Sequence, residues 1–155
     1  MWIRKATIED TEQLKPLFAG SLRNMAQLQP RQYREAEQDV EFIQEGILGE
    51  DSDVLVAEKD GHIIGLASVF SVTVNPRPYR VQQTYCELDT IFVQEEYRNQ
   101  GVGKALLDAA WNWAKARNHA SLQLMTLGEN KDARRFYMRS GMREHKIGYI
   151  LESLS

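Results

Sequence analysis

The stretch YRNQGVGKALLDAAW, residues 97–111, places two glycines and an arginine directly before a segment with a strong helical pattern. Apolar residues recur at helical spacing from there on, so we expect a helix over residues 102–117. Gly101 and Gly103 carry no Cβ, which lets another group approach the backbone closely. Because a helix N-terminus offers unpaired N–H groups and the positive end of the helix dipole, this stretch predicts an anion site.

Two common phosphate-binding loops do not match this stretch. A P-loop requires a glycine five places before its Gly-Lys pair, where this chain has Arg98. The dinucleotide fingerprint requires Gly or Ala three places after Gly103, where this chain has Leu106. An isolated Gly-x-Gly also occurs at ordinary helix starts that need a sharp turn. The surrounding elements must therefore decide between an anion site and a plain turn.

The first fifty residues predict a short strand and two helices. WIRKAT at the N-terminus favours the strand, and the first helix follows Asp10 as its N-cap. Pro16 either kinks this helix or delays its start. A second helix is expected within residues 32–48.

Strands are expected on both sides of the quoted stretch. Asp60-Gly61 predicts a tight hairpin turn between two strands, and a third long strand ends at Val93. After the central helix, whose core face is expected to include Trp111, residues 121–127 favour a buried strand. A short helix capped by Asn130 and a last strand over residues 143–154 complete the chain. We therefore expect one α/β domain over residues 1–155, with a mixed, mostly antiparallel sheet flanked by helices.

Composition excludes several classes of protein. Apolar residues make up 43% of the chain and charged residues 26%, and no apolar run is long enough for a bilayer, so no membrane association is expected. A net charge of −3 argues against nucleic acid as the main partner. The N-terminus does not match a signal peptide and Cys86 is the single cysteine, which favours the cytoplasm. The three histidines show no zinc spacing, so no metal is expected.

Two motifs together resemble the GNAT superfamily of N-acetyltransferases. The segment LDTIFVQEEYRNQGVGKALL is similar to the family's acetyl-CoA loop, Gln/Arg-x-x-Gly-x-Gly/Ala. Downstream, ENKDARRFYMRSGM is similar to the family's Asn-x-x-Ala-x-x-Phe-Tyr-x-x-x-Gly-Phe, with Met142 in place of the last Phe. The matching residues are Arg98, Gly101 and Gly103 in the first motif, and Asn130, Ala133, Phe136, Tyr137 and Gly141 in the second.

The resemblance implies acetyl-CoA as co-substrate and names the residues that hold it. Backbone N–H groups of the loop would bind the pyrophosphate, and the end of the preceding strand would pair with the pantetheine arm. The implied residues are Ile91, Phe92, Val93, Arg98, Asn99, Gln100, Gly101, Val102, Gly103, Lys104, Asn130, Ala133 and Tyr137. The side chains of Arg98 and Lys104 either take part or are simply solvated charges.

Acetylation of an amine requires a proton acceptor, because an alkyl ammonium has a pKa near about 10.4. Glu87 lies eleven residues before Arg98, where some family members carry a catalytic Glu, and we expect it to be the general base. Regular alternation puts Asp89 on the same sheet face, where it would support Glu87 or anchor the substrate ammonium. Alternatively both carboxylates point into solvent, an outcome that a bulge in this strand would favour.

Tyr137 occupies the position where the family often has a general acid that protonates the leaving thiolate. Its helical spacing also fits a core aromatic residue. Asn130 either caps its helix, contacts the CoA arm, or does both. Cys86 has no convincing His partner and is expected to be a small buried residue, so direct transfer in a ternary complex is the expected mechanism.

The sequence therefore predicts an N-acetyltransferase for a primary amine, a small molecule in preference to a protein. A CoA-binding module without turnover fits the loop equally well, and a nucleotide-binding protein is a weaker third reading. The acceptor remains open because it would be bound by residues 23–50 and 76–83, which the resemblance constrains least. Members of the family that this chain resembles often pair through strand edges or the C-terminal strand, so the resemblance makes HKIGYILESL a candidate surface for a homodimer.

Overall fold

A five-stranded sheet runs through the centre of the computed structural model, which describes residues 1–153. Its order is β1-β2-β3-β4-β5, so every strand neighbours the one before it in the chain. Four helices flank this sheet, and two short 3₁₀ turns lie at Ile8–Asp10 and Glu95–Tyr97. The strands are β1 (Trp2–Lys5), β2 (Ser52–Lys59), β3 (His62–Val74), β4 (Gln83–Val93) and β5 (Leu122–Gln123), and the helices are α1 (Thr11–Leu28), α2 (Val40–Leu48), α3 (Val102–Ala116) and α4 (Lys131–Arg139).

The first four strands are antiparallel, and only β4 and β5 run parallel. The β2–β3 hairpin turns at Asp60 and Gly61, whose φ values of 51° and 78° lie in the left-handed region that Asp-Gly pairs tolerate. In β4 and β5, the parallel pairing requires a crossover, which α3 supplies. The predicted hairpin and the mixed, mostly antiparallel sheet are confirmed.

Two apolar layers cover the two faces of the sheet. On one face α3 packs its buried residues, among them Leu106, Ala110 and Trp113, against β2, β3 and β4. On the other face α1 and α2 bury Leu14, Phe18 and other side chains against alternate residues of β2 and β3. Within residues 1–153 no helix is both long and apolar enough to cross a membrane.

A close contact between α1 and β4 fixes the depth at which α1 lies on the sheet. A Cβ built on Gly20 of α1 would come within 2.5 Å of the Phe92 ring tip, so only glycine leaves room for this ring. Phe92 in turn packs against the α1–α2 layer. Gly20 therefore lets α1 approach β4, the strand that leads into the loop before α3.

The structure corrects several expectations about element boundaries. Only Leu122–Gln123 of the strand expected over residues 121–127 pairs with the sheet, and Met125 is 89% exposed. No strand forms over residues 143–153, the described part of the expected last strand; residue 154 lies outside the described residues. Trp111 is exposed because it lies on the solvent side of α3. Pro16 lies inside α1, which begins at Thr11 as one continuous helix.

Candidate active site

The loop between β4 and α3 presents a row of backbone donors. The first N–H to find a backbone acceptor within α3 is that of Ala105, which bonds the Gly101 carbonyl at 3.0 Å. Within the described residues, the N–H groups from Asn99 to Lys104 donate to no protein acceptor. Asn99 and Gly101 have φ values of 61° and 84°, which curve this backbone into a concave surface. Such a surface at a helix N-terminus fits a diphosphate.

The side chain of Arg98 folds back onto the strand before the loop. Its Nε donates a 2.8 Å hydrogen bond to the Val93 carbonyl, and its guanidinium lies 5.2 Å from the centre of the Phe92 ring. Lys104 pairs with Asp108 one turn further along α3. In this structure Arg98 therefore braces the loop against the end of β4, and most of the free donors belong to the backbone.

The two sequence motifs meet where Phe136 of α4 lies beside Gly103 in the first turn of α3. A Cβ on Gly103 would lie 3.4 Å from the Phe136 ring, an ordinary contact distance. The Asn130 side chain accepts a 3.1 Å hydrogen bond from the N–H of Ala133, which identifies it as the N-cap of α4. Capping is thus the role of Asn130 that the structure shows.

Strand β4 has an open edge next to the loop. It pairs with β3 along its whole length, but with β5 only at Cys86 and Glu87. Because β5 ends at Gln123 while β4 continues to Val93, the β5 side of the last six residues of β4 has no strand neighbour among residues 1–153. Unpaired N–H and C=O groups on such an edge can accept an extended amide-containing chain as an added strand.

A β-bulge interrupts β4 at Asp89. Leu88 pairs with Val69 and Thr90 pairs with Ser68, so Asp89 is an extra residue opposite the β3 backbone. As a result Cys86, Leu88, Ile91 and Val93 all contact the α3-side core although their spacing is not strictly even. The regular alternation behind the expectation that Glu87 and Asp89 share a face therefore does not hold in this strand.

Glu87 is partly buried and lies near two charged residues, Asp89 and Lys146, whose charges are opposite to each other. Its neighbours Cys86 and Leu88 are both buried on the α3 side, so its own side chain leaves the sheet on the other face. Burial raises the pKa of the Glu87 carboxyl, the nearby charge of Asp89 raises it further, and Lys146 partly offsets both. A carboxylate with a raised pKa is better suited to accept a proton near neutral pH.

Tyr137 lies on α4 next to Phe136, with the two ring centres 5.3 Å apart. Burial raises the pKa of Tyr137 to about 12, so its hydroxyl keeps its proton at neutral pH. Within residues 1–153 this hydroxyl makes no hydrogen bond. A protonated, partly buried and unengaged phenol is able to donate a proton to a group that arrives at the site.

Cys86 is fully buried, and burial raises the pKa of its thiol to about 12. A thiol in this state is a poor nucleophile at neutral pH. Among residues 1–153, no group of three or more His, Cys, Asp or Glu side chains is placed to hold a metal ion.

The sequence does not predict the position of Lys146 near Glu87 or two surface links between distant segments. After α1, Gln29 donates a 2.8 Å hydrogen bond to Glu129 before α4, and Arg31 lies 3.6 Å from Glu152 near the C-terminus. These links connect segments that are a hundred residues or more apart in the chain. The only sequence signal was a charge at Lys146 within an otherwise apolar strand pattern.

The chain is similar in sequence to known proteins over most of its length. The model of a family described as "Acetyltransferase (GNAT) family" matches residues 20–142. An uncharacterized N-acetyltransferase of Archaeoglobus fulgidus is 28% identical over 149 residues, 96% of this chain and 97% of the relative.

Solved structures show the same fold. A crystal structure of a mutant of the BH1408 protein from Bacillus halodurans superposes with a TM-score of 0.95 at 25% identity, over 99% of this chain and 100% of that chain. The aminoglycoside N-acetyltransferase AAC(6')-Iy, solved in complex with CoA, superposes with a TM-score of 0.70 at 19% identity, over 99% of this chain and 100% of that one.

Proposed function

The chain belongs to the GNAT family of acetyltransferases, and we propose that it transfers the acetyl group of acetyl-CoA directly to a primary amine on a small molecule. The observation that carries this proposal is the row of unbonded N–H groups from Asn99 to Lys104 beside the open edge of β4. The two features offer a diphosphate and an extended amide-containing arm adjacent binding surfaces.

The CoA-binding residues follow from these surfaces. Loop residues 98–104 hold the pyrophosphate through their backbone, while the open edge at Ile91, Phe92 and Val93 pairs with the pantetheine arm. When bound, acetyl-CoA supplies the activated acetyl group as a thioester. Asn130 and Ala133 support the site from α4, where the cap starts the helix whose Phe136 lies beside the first turn of α3.

The chain's own residues move the protons. Glu87 accepts a proton from the amine, directly or through water, and its raised pKa makes it a stronger base than an exposed glutamate. Tyr137 donates the proton that the departing thiolate requires, since its hydroxyl stays protonated at neutral pH. Asp89 carries a negative charge beside Glu87 and attracts the ammonium form of the acceptor.

A cationic small molecule is the acceptor class that these charges favour. Glu87 and Asp89 lie close enough for one charge to raise the pKa of the other, so a cation near both relieves their repulsion. The solved AAC(6')-Iy acts on aminoglycosides according to its name, and such polyamines are one class to test. The single, fully buried cysteine suits a reducing compartment, and we place the enzyme in the cytoplasm.

Thiol release from acetyl-CoA across a panel of polyamines, aminoglycosides, amino acids and peptides tests the proposal. We expect turnover with a cationic amine class, with kcat reduced on the order of 100-fold in Glu87→Gln and in Tyr137→Phe. The matched controls Glu12→Gln on α1 and Trp111→Phe on the solvent side of α3, both exposed and outside residues 23–50 and 76–83, should retain wild-type rates.

Two other outcomes distinguish the rival functions. Tight CoA binding without turnover on the whole panel, and unchanged binding in the Glu87 and Tyr137 variants, would support a CoA-binding module. Displacement of CoA by ATP at equal concentration would support a general nucleotide site. Either result would overturn the proposed reaction.

A further inference from the structure

A polar cleft lies beyond the C-terminal end of α3. Ser71 pairs with Cys86, and Thr73 pairs with Thr84, across strands β3 and β4. Residues that pair directly point to the same face of a sheet, and Cys86 belongs to the α3-side core. The three hydroxyl side chains therefore point to that face. The cleft is lined by these hydroxyls and by residues from the turn before β2 and from the end of α3, namely Asp51, Ser71, Thr73, Thr84, Arg117, Asn118 and His119.

The cleft is separate from the proposed CoA surface. Thr84 precedes Ile91 by seven residues of β4, which is about 20 Å along a strand. Glu87 lies between them in the strand, but its side chain leaves the sheet on the other face. No residue that lines the cleft belongs to loop 98–104 or to α4. A ligand in the cleft would therefore not occupy the site of acetyl transfer.

The ring of His119 shows which way the hydroxyl of Ser71 donates. Its Nε2 lies 3.0 Å from Ser71 Oγ, and its Nδ1 is buried without a hydrogen-bond partner among residues 1–153. Burial and then the charge of Arg117 lower the pKa of His119, although Asp51 partly offsets them, so the ring carries one proton at neutral pH.

That proton belongs on Nε2 of His119. A proton on Nδ1 would be a buried donor without an acceptor, which proteins avoid more strictly than an unused acceptor. On Nε2 the proton is donated to Ser71 Oγ. The O–H of Ser71 then has no acceptor of its own in the described part of the chain and is available to a ligand.

The two threonines supply a second unused O–H donor. The Oγ1 atoms of Thr73 and Thr84 lie 3.2 Å apart, so one hydroxyl donates to the other. The hydroxyl that donates has used its only hydrogen, whereas the one that accepts keeps its own. No other residue between 1 and 153 accepts that hydrogen. The sheet side of the cleft therefore offers two O–H donors.

Arg117 adds a positive charge whose N–H donors are unused. Its side chain is only 31% exposed, and its guanidinium lies 4.1 Å from the centre of the Trp113 ring. Its ion pair with Asp53 spans 3.8 Å, which is too long for a hydrogen bond, and Asp53 already accepts a 2.8 Å bond from Trp113. The guanidinium is therefore held in place by the indole ring while its donors have no acceptor within residues 1–153.

We propose that this cleft binds a phosphate group, as the free ion or on a small molecule. The guanidinium supplies charge and N–H donors from the end of α3, and the hydroxyls supply donors from the sheet. Donors on two sides suit the oxygens of a tetrahedral anion, and a charged donor strengthens each bond that it makes. Asp51 also lines the cleft, but it is exposed, so solvent screens its repulsion of the anion.

An NMR titration with inorganic phosphate at constant ionic strength tests the proposal. The ring signals of His119 and the amide of Ser71 report on the cleft, and the amides of residues 99–104 report separately on the loop. We expect saturable shifts at the cleft with a dissociation constant on the order of 1 mM, as two to three charge-assisted bonds provide. Bound phosphate should also raise the pKa of His119, because a nearby anion favours the imidazolium.

Matched variants identify the groups that bind. Arg117→Gln should raise the dissociation constant at least about tenfold and Ser71→Ala about threefold. Lys115→Gln removes the same charge from the same end of α3, but Lys115 lies over Trp111 on the solvent side, so this control should stay within about twofold of wild type. Asp51→Asn removes the opposing charge and should tighten binding about twofold. Circular dichroism checks that each variant is folded.

Four outcomes would overturn the proposal. The first is no saturable shift at His119 up to about 50 mM phosphate. The second is wild-type affinity in both Arg117→Gln and Ser71→Ala. The third is an equal loss in Lys115→Gln and Arg117→Gln, which would reduce the effect to general electrostatic attraction. The fourth is acetate binding as tightly as phosphate.

A parallel titration with glycerol 3-phosphate distinguishes the two sources of the phosphate group. Binding as tight as that of inorganic phosphate, or tighter, would identify an ester of a small molecule as the ligand. Exclusion of the ester, with inorganic phosphate still bound, would identify the free ion. Both results support a phosphate site in the cleft.

Discussion

The proposed role of Glu87 as general base comes with a cost in stability. Burial and Asp89 raise the pKa of its carboxyl in the folded protein. As pH rises, the unfolded chain therefore gives up this proton first, and the stability of the fold decreases between the two pKa values. At pH 7 the ionised Glu87 is less favourable in the folded state than a neutral group of the same shape.

We predict that Glu87→Gln inactivates the enzyme without lowering its melting temperature at pH 7. Calorimetry should show a Tm equal to or above that of wild type, while thiol release falls on the order of 100-fold. Glu12→Gln, an exposed control on α1, should change neither. A clear loss of Tm in Glu87→Gln would mean that the ionised carboxylate stabilises the fold.

The two charges beside Glu87 should shift its titration in opposite directions. Asp89→Asn removes a negative neighbour and should lower the pKa of Glu87, whereas Lys146→Gln removes a positive neighbour and should raise it. Carboxyl titration of Glu87 by NMR measures both directly. A shift of the same sign in the two variants would contradict the charge arrangement described here.

Residues whose role is local were predictable from the sequence. The Asp60-Gly61 turn and the Asn130 cap depend on backbone conformation within a few residues, so the residue types alone indicate the turn and the cap. Lys146 depends on where a distant segment runs, and the effect of Asp89 depends on a bulge. Neither is encoded in the spacing of neighbouring residues, so the surroundings of the proposed general base, Glu87, became visible only in the structure.

At the scale of elements, glycine sets how closely α1 approaches β4. Ala for Gly in a helix usually adds stability, but at Gly20 the new methyl would meet the Phe92 ring. We predict that Gly20→Ala lowers the free energy of unfolding by about 1–3 kcal/mol, the usual cost of overpacking. Gly46→Ala in α2 is the control, since its Cβ would make an ordinary 3.4 Å contact with Val54.

Urea denaturation measures both glycine variants. Gly46→Ala should be neutral or more stable than wild type by up to about 1 kcal/mol, the propensity difference between the two residues. A stabilised Gly20→Ala would show that α1 or the Phe92 ring moves freely enough to admit the methyl group.

The bulge in β4 should be required for activity and dispensable for folding. Deleting Asp89 joins Leu88 to Thr90, whose partners Val69 and Ser68 are already adjacent, so the buried residues keep their faces. The strand would lose the local bend that a bulge imposes next to the open edge. We expect a folded protein by circular dichroism with little or no thiol release.

Asp89→Ala keeps the bulge and separates the effect of the backbone from that of the carboxylate. It should retain more activity than the deletion, because only the side chain is lost. Equal activity in the deletion and in wild type would show that the bend does not contribute to the site.

Elements that pair within the chain were predictable, and those that depend on other surfaces were not. The strand pattern of β2, β3 and β4 is visible in the sequence because the apolar residues of these strands pack against one of the two core layers. Residues 143–152 have an equally clear strand pattern, yet none of them pairs with the sheet in the described part of the chain. For β5, apolar content alone predicted seven residues where the sheet offers pairing for two.

At the scale of the whole molecule, the proposed cofactor surface should make stability depend on CoA. The loop donors from Asn99 to Lys104 and the edge of β4 are present only when sheet, α3 and α4 are assembled, so CoA binds the folded state selectively. At a CoA concentration a hundredfold above Kd, the folded state gains about 2.7 kcal/mol. For a domain of this size we predict a Tm increase of about 5–11 °C.

Differential scanning fluorimetry with CoA measures this increase, with ATP at the same concentration as the control ligand. A Tm that does not respond to CoA at millimolar concentration would contradict binding at this surface. An equal response to ATP would indicate that the loop recognises phosphate groups in general.

The burial of Cys86 has a practical consequence for chemistry performed on this protein in solution. With its one thiol inaccessible and protonated, the native chain is silent toward aromatic disulfide dyes and maleimides. A dye that reports free thiols will therefore count the CoA released and not the enzyme, even at high protein concentration. Any cysteine introduced at the surface also becomes a single, addressable labelling position without removal of the native one.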